Sequence, residues 1–386
     1  MRNVFETETH FALGGPVADL IAERTNTVDR VVIASFEHTF AGIPDVALVA
    51  TGGFGRCELL PQSDIDVLLI VPDPIRPEVT RALEALLSQF WNLGLQASHI
   101  VRNQRACLEE AERDLTSATA LFEARFLTGD RGAFDRMMAG LDAPNIWPPV
   151  AFLRAKREEQ RERHARYNDT AFNLEPNIKE GPGGLRDLHA LQWVAKRSFG
   201  EERLQAFATL GLASQEEQTE LLRARDVLWQ VRFGLHRLLK RREERLLFDH
   251  QRELAAQFGF QDANPKLAVE RFMQGFYRAS ATVRRLSRRI WERLEARIDP
   301  SDTTSTPLEN GFVVREGRLH HDDARALETS LDRLVQALRL LAQSPEPMRP
   351  SAALAGAMSQ LSSQMDAALS PACAPRCRTC CARKAR

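Results

Sequence analysis

The chain has 386 residues, of which 44% are hydrophobic and 27% charged, ordinary values for a globular protein. The formal net charge is zero, but residues 1–150 hold 12 Lys/Arg against 21 Asp/Glu (−9), whereas residues 151–386 hold 40 against 31 (+9). An acidic first part is a poor surface for nucleic acid, whose affinity for proteins comes mainly from phosphate neutralisation. The sequence contains neither a long apolar run nor an apolar signal core. We therefore expect a cytoplasmic protein whose partners are neither nucleic acid nor membrane.

The six cysteines are distributed unevenly. Two are isolated, Cys57 and Cys107, and four crowd the end of the chain, Cys373, Cys377, Cys380 and Cys381. This is not the spread of a disulfide framework, and it fits a reducing compartment. Four thiolates can bind Zn²⁺, but the adjacent pair Cys380–Cys381 and the low content of bulky apolar residues around it favour a poorly ordered tail.

The first part of the chain alternates between helical and strand patterns. Apolar periodicity, glycine and proline predict a helix over 16–42, strands over 46–53 and 64–73, a helix over 76–94, a strand over 95–103 and a helix over 106–129. This order predicts an α+β fold, with a small mixed sheet and a site at one edge of it.

The pattern changes at about residue 151, where long helices with few strand signals begin. The stretch 173–200, which contains a Gly-Pro-Gly-Gly turn, interrupts them. After residue 300 we expect a linker, a short hairpin in ENGFVVREGRLHHDD and the poorly ordered tail. The predicted domains are therefore 1–150, an all-helical 151–300, and a linker with tail over 301–386.

The stretch TGGFGRCELLPQSDIDVLLI at 51–70 carries the strongest chemical signal. Residues i and i+2 of a strand share a face, so Asp64 and Asp66 project together where the strand begins. Two adjacent carboxylates repel each other unless a cation lies between them. Such oxygen ligands suit Mg²⁺, which also shares sites with phosphate oxygens. Acids that cap a helix or face water are the alternative, but the loop, the spacing and the strand together favour a metal site.

The residues before these acids suit phosphate binding. Gly52 and Gly53 lack side chains, so their backbone N–H groups can approach a phosphate closely. Ser63 can donate its hydroxyl to the same phosphate. Arg56 is a candidate ligand of a leaving pyrophosphate, and an ion pair with Glu58 is the alternative for it.

A third carboxylate often acts as general base in sites of this kind. Two residues are candidates for this role. His99 lies in the predicted third strand. Asp114 lies at a helix start, where capping is the alternative.

The turn Gly181-Pro182-Gly183-Gly184 precedes a helix, and helix N-termini bind anions. Lys179 and Arg186 flank this turn and are candidate ligands of a triphosphate or of an acceptor. A turn packed for domain geometry is the alternative. Glu175 and Asp187 are expected to be helix caps or ion-pair partners.

Four blocks of the sequence carry a resemblance to a known family. GGFGRCELLPQSDIDVLLI resembles the signature of polymerase-β-like nucleotidyltransferases, and more narrowly that of the bacterial PII uridylyltransferase/uridylyl-removing enzymes. The other three blocks are DLTSATALFEARFLTGD at 114–130, EPNIKEGPGGLRDLHALQWVAKRSFG at 175–200 and RLLFDHQRELAAQFGF at 245–260. The resemblance covers about residues 10–300.

The resemblance implies transfer of UMP from UTP to a tyrosine of the PII signal protein, with release of pyrophosphate. By position, Asp64 and Asp66 match the metal-binding pair of the family, and Gly52, Gly53 and Ser63 match its phosphate-binding loop. Full-length members continue into an HD domain and two ACT domains that this sequence lacks, so uridylyl removal and glutamine sensing are expected to be missing. An inactive remnant that binds nucleotide or PII, and a nucleotidyltransferase that modifies another protein, remain alternatives.

Overall fold

The computed structural model describes residues 16–260, 265–300, 306–315, 318–321, 331–344, 348–351 and 354–358. The Cys-rich tail therefore lies outside the described residues. The chain divides into two compact units, Met1–Ile290 and Trp291–Arg386. In the described part, no helix is long and apolar enough to cross a membrane.

The first unit begins with a four-stranded sheet and its helices. Its elements are α1 (Val17–Thr39), β1 (Ala47–Ala50), α2 (Gly52–Gly55), β2 (Ile65–Ile70), α3 (Pro77–Asn92), β3 (Ala97–Arg102), α4 (Gln104–Arg113), α5 (Leu115–Phe122), β4 (Arg125–Gly129) and α6 (Arg131–Leu141). The strand order is β3-β2-β1-β4. Strands β2 and β3 are parallel, and β1 is antiparallel to both β2 and β4.

Helices α1 and α3 cover one face of this sheet. The buried residues Val28, Val32 and Phe36 repeat at helical spacing along one side of α1. They share a core with Ile65, Val67 and Leu69 of β2 and with the buried residues of α3. Because side chains alternate along a strand, Asp66 projects from the opposite face of β2.

The predicted α+β class is confirmed, and one predicted element is wrong. The helix predicted over 106–129 is instead α4, α5 and strand β4, which pairs with β1. Strand β4 follows a helix almost directly, and its half-buried residues, such as Phe126 and Leu127, continue the apolar pattern of that helix and conceal the change of period.

Long helices build the rest of the first unit, as predicted. They are α7 (Pro149–Ala165), α8 (Leu185–Phe199), α9 (Gln215–Leu239), α10 (Phe248–Gln257) and α11 (Pro265–Ile298). Ser214 and Glu217 form a capping box at the start of α9. Lys240 ends α9 in the left-handed region, with φ +51°.

The second unit contains a small sheet of its own in order β5-β6-β7-β8. The strands are β5 (Thr306–Pro307), β6 (Phe312–Arg315), β7 (Arg318–His321) and β8 (Arg349–Pro350), and helix α12 spans Leu331–Gln343. Phe312 and Leu319 share a core with Leu334, Ala337 and Leu354. The hairpin expected from the sequence is present as β6 and β7. This unit has its own core where the sequence predicted a linker and tail, and the division between the units falls inside α11, not at residue 300.

Candidate active site

Asp66 is the second residue of β2, and Asp64 lies just before that strand. The Asp64 side chain is 42% exposed, and Asp66 is half-buried. Burial, and next the charge of Asp64, raise the pKa of Asp66 to about 6. Asp64 is therefore close enough to oppose ionisation of Asp66, and the oxygens of the two carboxylates form the donor set that a divalent cation such as Mg²⁺ prefers.

Gly52 lies directly against Asp66. A Cβ atom added at Gly52 would meet Asp66 Oδ2 at 2.7 Å, and the backbone there has φ +57°, which favours glycine. The N–H of Thr51 donates to the carbonyl of Asp66 at 2.9 Å. At Gly53 the nearest atom to an added Cβ is 3.7 Å away, the carbonyl oxygen of Glu58. The glycine loop and the acid are therefore side by side, as the motif predicts, although the strand ends at Ala50 and Gly52 opens the short helix α2.

Arg56 is the centre of a buried charge network beneath this loop. Its Nε donates to Glu58 Oε2 at 3.1 Å, and its Nη1 donates to Glu123, which also accepts from Trp193 Nε1. Burial alone would lower the pKa of Arg56, but Glu123 and Glu58 raise it above its ordinary value. The ion pair with Glu58, the alternative considered for Arg56, is present, and the guanidinium is committed to carboxylates of the protein.

His189 of α8 joins this network from the helical region. Burial lowers the pKa of His189 to about 3, so the ring is neutral near pH 7 and its Nε2–H donates to Glu58 at 2.8 Å. Burial alone would raise the pKa of Glu58, but His189 and Arg56 hold it well below its usual range. The network therefore fixes the segment after α2 against α8.

Two cations, Lys179 and Arg186, flank the turn before α8, and the charge of Lys179 acts on Asp66. Burial, and next the charge of Arg186, lower the pKa of Lys179 to about 8. The positive charges of Arg242 and Lys179 offset part of the rise in the pKa of Asp66. Arg186 donates to Glu180 Oε1 at 3.0 Å, and its guanidinium lies over the ring of Trp193.

The turn itself is tightly packed. A Cβ added at Gly183, where φ is +78°, would meet the Ser280 carbonyl oxygen of α11 at 2.2 Å. Asp187 is buried and accepts from Gly183 N, Arg163 Nη2 and Gln160 Nε2, all within 2.9 Å. These contacts agree with the domain-packing alternative for the turn, and with the cap and ion-pair roles expected for Asp187. Glu175 accepts from the N–H of Phe248, at the start of α10.

Arg242 is a site residue that the sequence did not reveal. It follows α9, and its Nη1 lies 3.3 Å from both Oδ1 and Oδ2 of Asp64, 178 residues away. Its run RREER at 241–245 is a mixed-sign sequence without a local motif.

Hydrogen bonds hold the segment before Asp64 close to the segments that follow α9 and precede α8. The His236 ring nitrogens contact the carbonyl oxygens of Pro61 through Nδ1 and of Glu243 through Nε2. The Ile178 N–H donates to the Glu244 carbonyl oxygen at 2.8 Å. The segments 60–64, 176–178 and 243–246 are therefore joined by hydrogen bonds at the site.

Neither candidate for the third catalytic group joins the two acids. His99 is in register with Val67, whereas Ser98 is in register with Asp66, so His99 projects from the face opposite to Asp66. Asp114 caps α5 by accepting from Ser117 N at 2.6 Å, which was the alternative for it. Within the described ranges, no set of three His, Cys, Asp or Glu residues is arranged to hold a metal ion.

Comparison with known proteins agrees with the family resemblance carried by the sequence motifs. Residues 151–291 match the family model described as GlnD PII-uridylyltransferase. Over 342 residues the chain is 40% identical to the bifunctional uridylyltransferase/uridylyl-removing enzyme of Azotobacter vinelandii, which is 88% of this chain and 38% of that protein. The chain resembles the PII uridylyltransferases.

Two further bifunctional uridylyltransferase/uridylyl-removing enzymes show the same relation. The protein of Stutzerimonas stutzeri is 38% identical over 342 residues, which is 88% of this chain and 38% of that protein. The protein of Xanthomonas axonopodis pv. citri is 42% identical over 312 residues, which is 81% of this chain and 36% of that protein. The resemblance predicted from the motifs is confirmed, and the chain spans under two fifths of the length of these uridylyltransferases.

The region that matches the uridylyltransferase family model contains Lys179, Arg186 and Arg242. Asp64, Asp66, Gly52 and Gly53 lie before it in the sequence. The site is therefore assembled from two parts of the chain, with the carboxylates and glycines on the sheet and the cations on the helical region.

Proposed function

We propose that this chain transfers UMP from UTP to a tyrosine of a PII protein, with Mg²⁺ as cofactor and pyrophosphate as the leaving product. The observation that carries the proposal is the juxtaposition of Asp64, Asp66 and Gly52, with the Gly52 position in contact with Asp66 Oδ2. The names of the relatives supply the nucleotide and the acceptor.

Asp64 and Asp66 fit a divalent cation. They offer carboxylate oxygens at one strand end. Burial, and next the charge of Asp64, raise the pKa of Asp66, and a bound cation would stabilise its ionised form. A cation held there supplies charge stabilisation to the attacking and leaving oxygens of an in-line displacement at phosphorus.

The remaining residues act on the triphosphate and the acceptor. Gly52 and Gly53 leave the backbone open to close approach by phosphate oxygens. Lys179 adds positive charge beside Asp66, which favours binding of the triphosphate. The tyrosine oxygen attacks the α-phosphorus, its proton is released, and the bond to the β-phosphate oxygen breaks. Arg56, paired with Glu58 and Glu123, supports the glycine loop.

The test is incubation of the purified chain with PII protein, Mg²⁺ and UTP labelled at the α-phosphate. Label on PII is expected with the wild type and is expected to be absent with Asp64→Asn/Asp66→Asn. The matched control is Asp135→Asn/Asp249→Asn, which makes the same change at two exposed aspartates. Label on another protein would favour the alternative acceptor, and UTP binding without any labelled product would favour the inactive remnant.

A further inference from the structure

An exposed apolar patch lies where the segment before α8 meets the start of α10. It consists of Phe172, Leu174 and Phe248, whose exposed fractions are 61%, 70% and 55%. Single exposed apolar side chains are common on protein surfaces, whereas neighbouring ones mark surfaces that contact a partner. The patch therefore calls for an occupant only if these residues are held together.

Hydrogen bonds hold Leu174 and Phe248 side by side. The Phe248 N–H donates to Glu175 Oε1 at 3.1 Å, next to Leu174 in the sequence. The buried side chain of Gln251 donates through Nε2 to the carbonyl oxygens of both Leu174 and Leu246, each at 2.8 Å. One buried amide thus bridges the two segments that carry the apolar side chains.

Phe172 is fixed to the same place by α11. The Phe172 ring lies 5.9 Å from the ring of Tyr277, measured between centroids. The Tyr277 hydroxyl donates to the Asn173 carbonyl oxygen at 2.9 Å. The exposed ring of Phe172 is therefore positioned by contacts on both sides of Asn173, two residues from Leu174.

The patch is continuous with the candidate active site. Backbone hydrogen bonds of 2.8 and 2.9 Å pair residues 176–178 with residues 244–246. Arg242, which contacts Asp64, precedes Phe248 by six residues. Six residues span at most about 22 Å, so the patch lies within that distance of Arg242.

This separation matches the size of one protein interface. A standard interface buries about 800 Å² on each partner, which corresponds to a disc roughly 32 Å across. A disc of this size includes both Asp64 and Phe248. A protein that places a side chain at the two aspartates therefore reaches the apolar patch as well.

The charges between the patch and the site favour an acidic partner. Residues 240–245 contain four cations and two glutamates. Both glutamates already form ion pairs within the chain, Glu243 with Arg241 and Glu244 with Arg232. The exposed Arg245, which lies between Arg242 and Phe248 in the sequence, adds positive charge on this path. Carboxylates on the partner complement it.

We propose that Phe172, Leu174 and Phe248, together with Arg245, are the surface on which the acceptor protein docks. The complementary face of the acceptor carries apolar and acidic side chains near its tyrosine. The inference rests on the proposed function, because it assigns the docking of that reaction's protein substrate. These four side chains contribute to acceptor binding, and the chemistry at phosphorus stays with the two aspartates.

The test is steady-state transfer of label with the concentration of PII protein varied at saturating labelled UTP. Leu174→Ser/Phe248→Ser should raise the KM for PII at least about tenfold, the loss expected when apolar anchors of an interface are truncated. The kcat and the KM for UTP should remain at the wild-type values. An unchanged KM for PII would overturn the inference.

The matched control is Ile75→Ser/Trp91→Ser, which removes two apolar side chains that are 50% and 85% exposed elsewhere on the surface. It should change neither KM. Circular dichroism checks that each variant folds. If Leu174→Ser/Phe248→Ser does not fold, Leu174→Ser alone takes its place, because Leu174 is the most exposed of the three residues.

Arg245→Glu tests the acidic character of the partner. It should slow association with PII at low salt, and its difference from the wild type should diminish at high salt. Arg81→Glu makes the same change at an exposed position of α3 and should leave the rate unchanged. Equal association rates of Arg245→Glu and the wild type at low salt would contradict an acidic docking face.

Binding without turnover separates this inference from the proposed function. Surface plasmon resonance measures PII on the immobilised full chain in the absence of UTP. Binding by the wild type that is lost in Leu174→Ser/Phe248→Ser supports docking even where no label is transferred. Absence of PII binding by the wild type would overturn the inference. Transfer of label with the same KM for PII in both proteins would overturn docking and leave the proposed function intact.

A second copy of this chain is the other possible occupant of the patch. Analytical ultracentrifugation of the wild type and of Leu174→Ser/Phe248→Ser decides this point. We expect the same sedimentation for both proteins. A dimer in the wild type that becomes a monomer in the variant would assign the patch to self-association and overturn the inference.

Discussion

The guanidinium of Arg242 lies 3.3 Å from both carboxylate oxygens of Asp64. The side chains are half exposed, 52% for Arg242 and 42% for Asp64, so the pair is a surface salt bridge. In the absence of a divalent cation, Arg242 neutralises one of the two carboxylates proposed to hold it. The cation and Arg242 therefore compete for the same oxygens.

This competition predicts that Arg242→Gln binds Mn²⁺ more tightly than the wild type. Exposed ion pairs contribute about 0.2–1 kcal/mol, so the gain should be at most about fivefold in Kd. Mn²⁺ titration followed by electron paramagnetic resonance measures it. The control is Arg241→Gln, which removes the neighbouring arginine that pairs with Glu243 instead. Equal affinity in Arg242→Gln and the wild type would show that the pair does not restrain the site.

The contact between Gly52 and Asp66 predicts that Gly52→Ala loses cation binding. The added Cβ would displace the carboxylate, and we expect the affinity for Mn²⁺ to fall at least about tenfold, the loss of one good ligand contact. Gly200→Ala is the matched control, since Gly200 also has positive φ, +72°, but has open space around the added atom. Both variants should lose about 1–2 kcal/mol of stability to backbone strain. If both bind Mn²⁺ like the wild type, the packing of Gly52 on Asp66 is not needed for the site.

The buried ion pair between Arg56 and Glu123 predicts that loss of the Glu123 charge lowers the free energy of unfolding. Glu123→Gln leaves part of a buried charge uncompensated, a change that costs about 3–5 kcal/mol when no other partner remains. Because Glu58 still pairs with Arg56, the lower end of that range is expected. Urea unfolding measures the change in free energy. Glu78→Gln, which removes a half-exposed partner of Arg76, should cost less than about 1 kcal/mol. Similar values for the two variants would contradict a buried role for Glu123.

Stability should fall as the pH is lowered from 6.5 toward 4. Burial lowers the pKa of His189 to about 3 and that of His236 to about 4, so the unfolded chain binds more protons than the folded chain in this window. Their contribution to stability is present above the unfolded pKa of about 6.5 and is lost as the pH falls toward the folded values. The raised pKa of Asp66 has the opposite effect on the pH dependence of stability, but it is one group against two histidines.

The variant His189→Gln tests this account, because the glutamine amide can still donate to Glu58 but does not titrate. The fall in Tm between pH 7 and pH 4.5 should be smaller in His189→Gln than in the wild type. His38→Gln, at an exposed position near the end of α1, is the control and should retain the wild-type slope. An unchanged slope in His189→Gln would mean that His189 is not the group that takes up the proton.

The local part of the site was predictable from the sequence. Asp64, Asp66 and Gly52 lie within 15 residues of one another, and their juxtaposition follows from strand alternation and the absence of a glycine side chain. The face of His99 was not predictable, because it depends on the register between β2 and β3. One residue of register decides whether Ser98 or His99 shares the face of Asp66.

The sequence contains no motif that indicates which distant residues contact the site. Arg242 meets Asp64 across 178 residues, and Glu123 meets Arg56 across 67. Each looks like an ordinary charged residue in its own neighbourhood. The segment after α9 brings Arg242 to Asp64, and the pairing of β4 with β1 brings Glu123 to Arg56. Arg56 forms the ion pair, and Asp114 the helix cap, that were considered as alternatives for them. In each case a nearby group of the protein satisfies the polar side chain without a ligand.

The contact between His236 and Pro61 has a consequence for synthesis of the chain. The two residues are 175 positions apart, so the segment that leads to Asp64 leaves the ribosome long before its partner exists. At about 5–20 residues per second, the delay is roughly 10–35 s. During that time the nascent segment before Asp64 lacks the helix that holds it. The position of this segment against α9 is therefore completed late in translation, and the part of the chain that carries Asp64 and Asp66 does not acquire it alone.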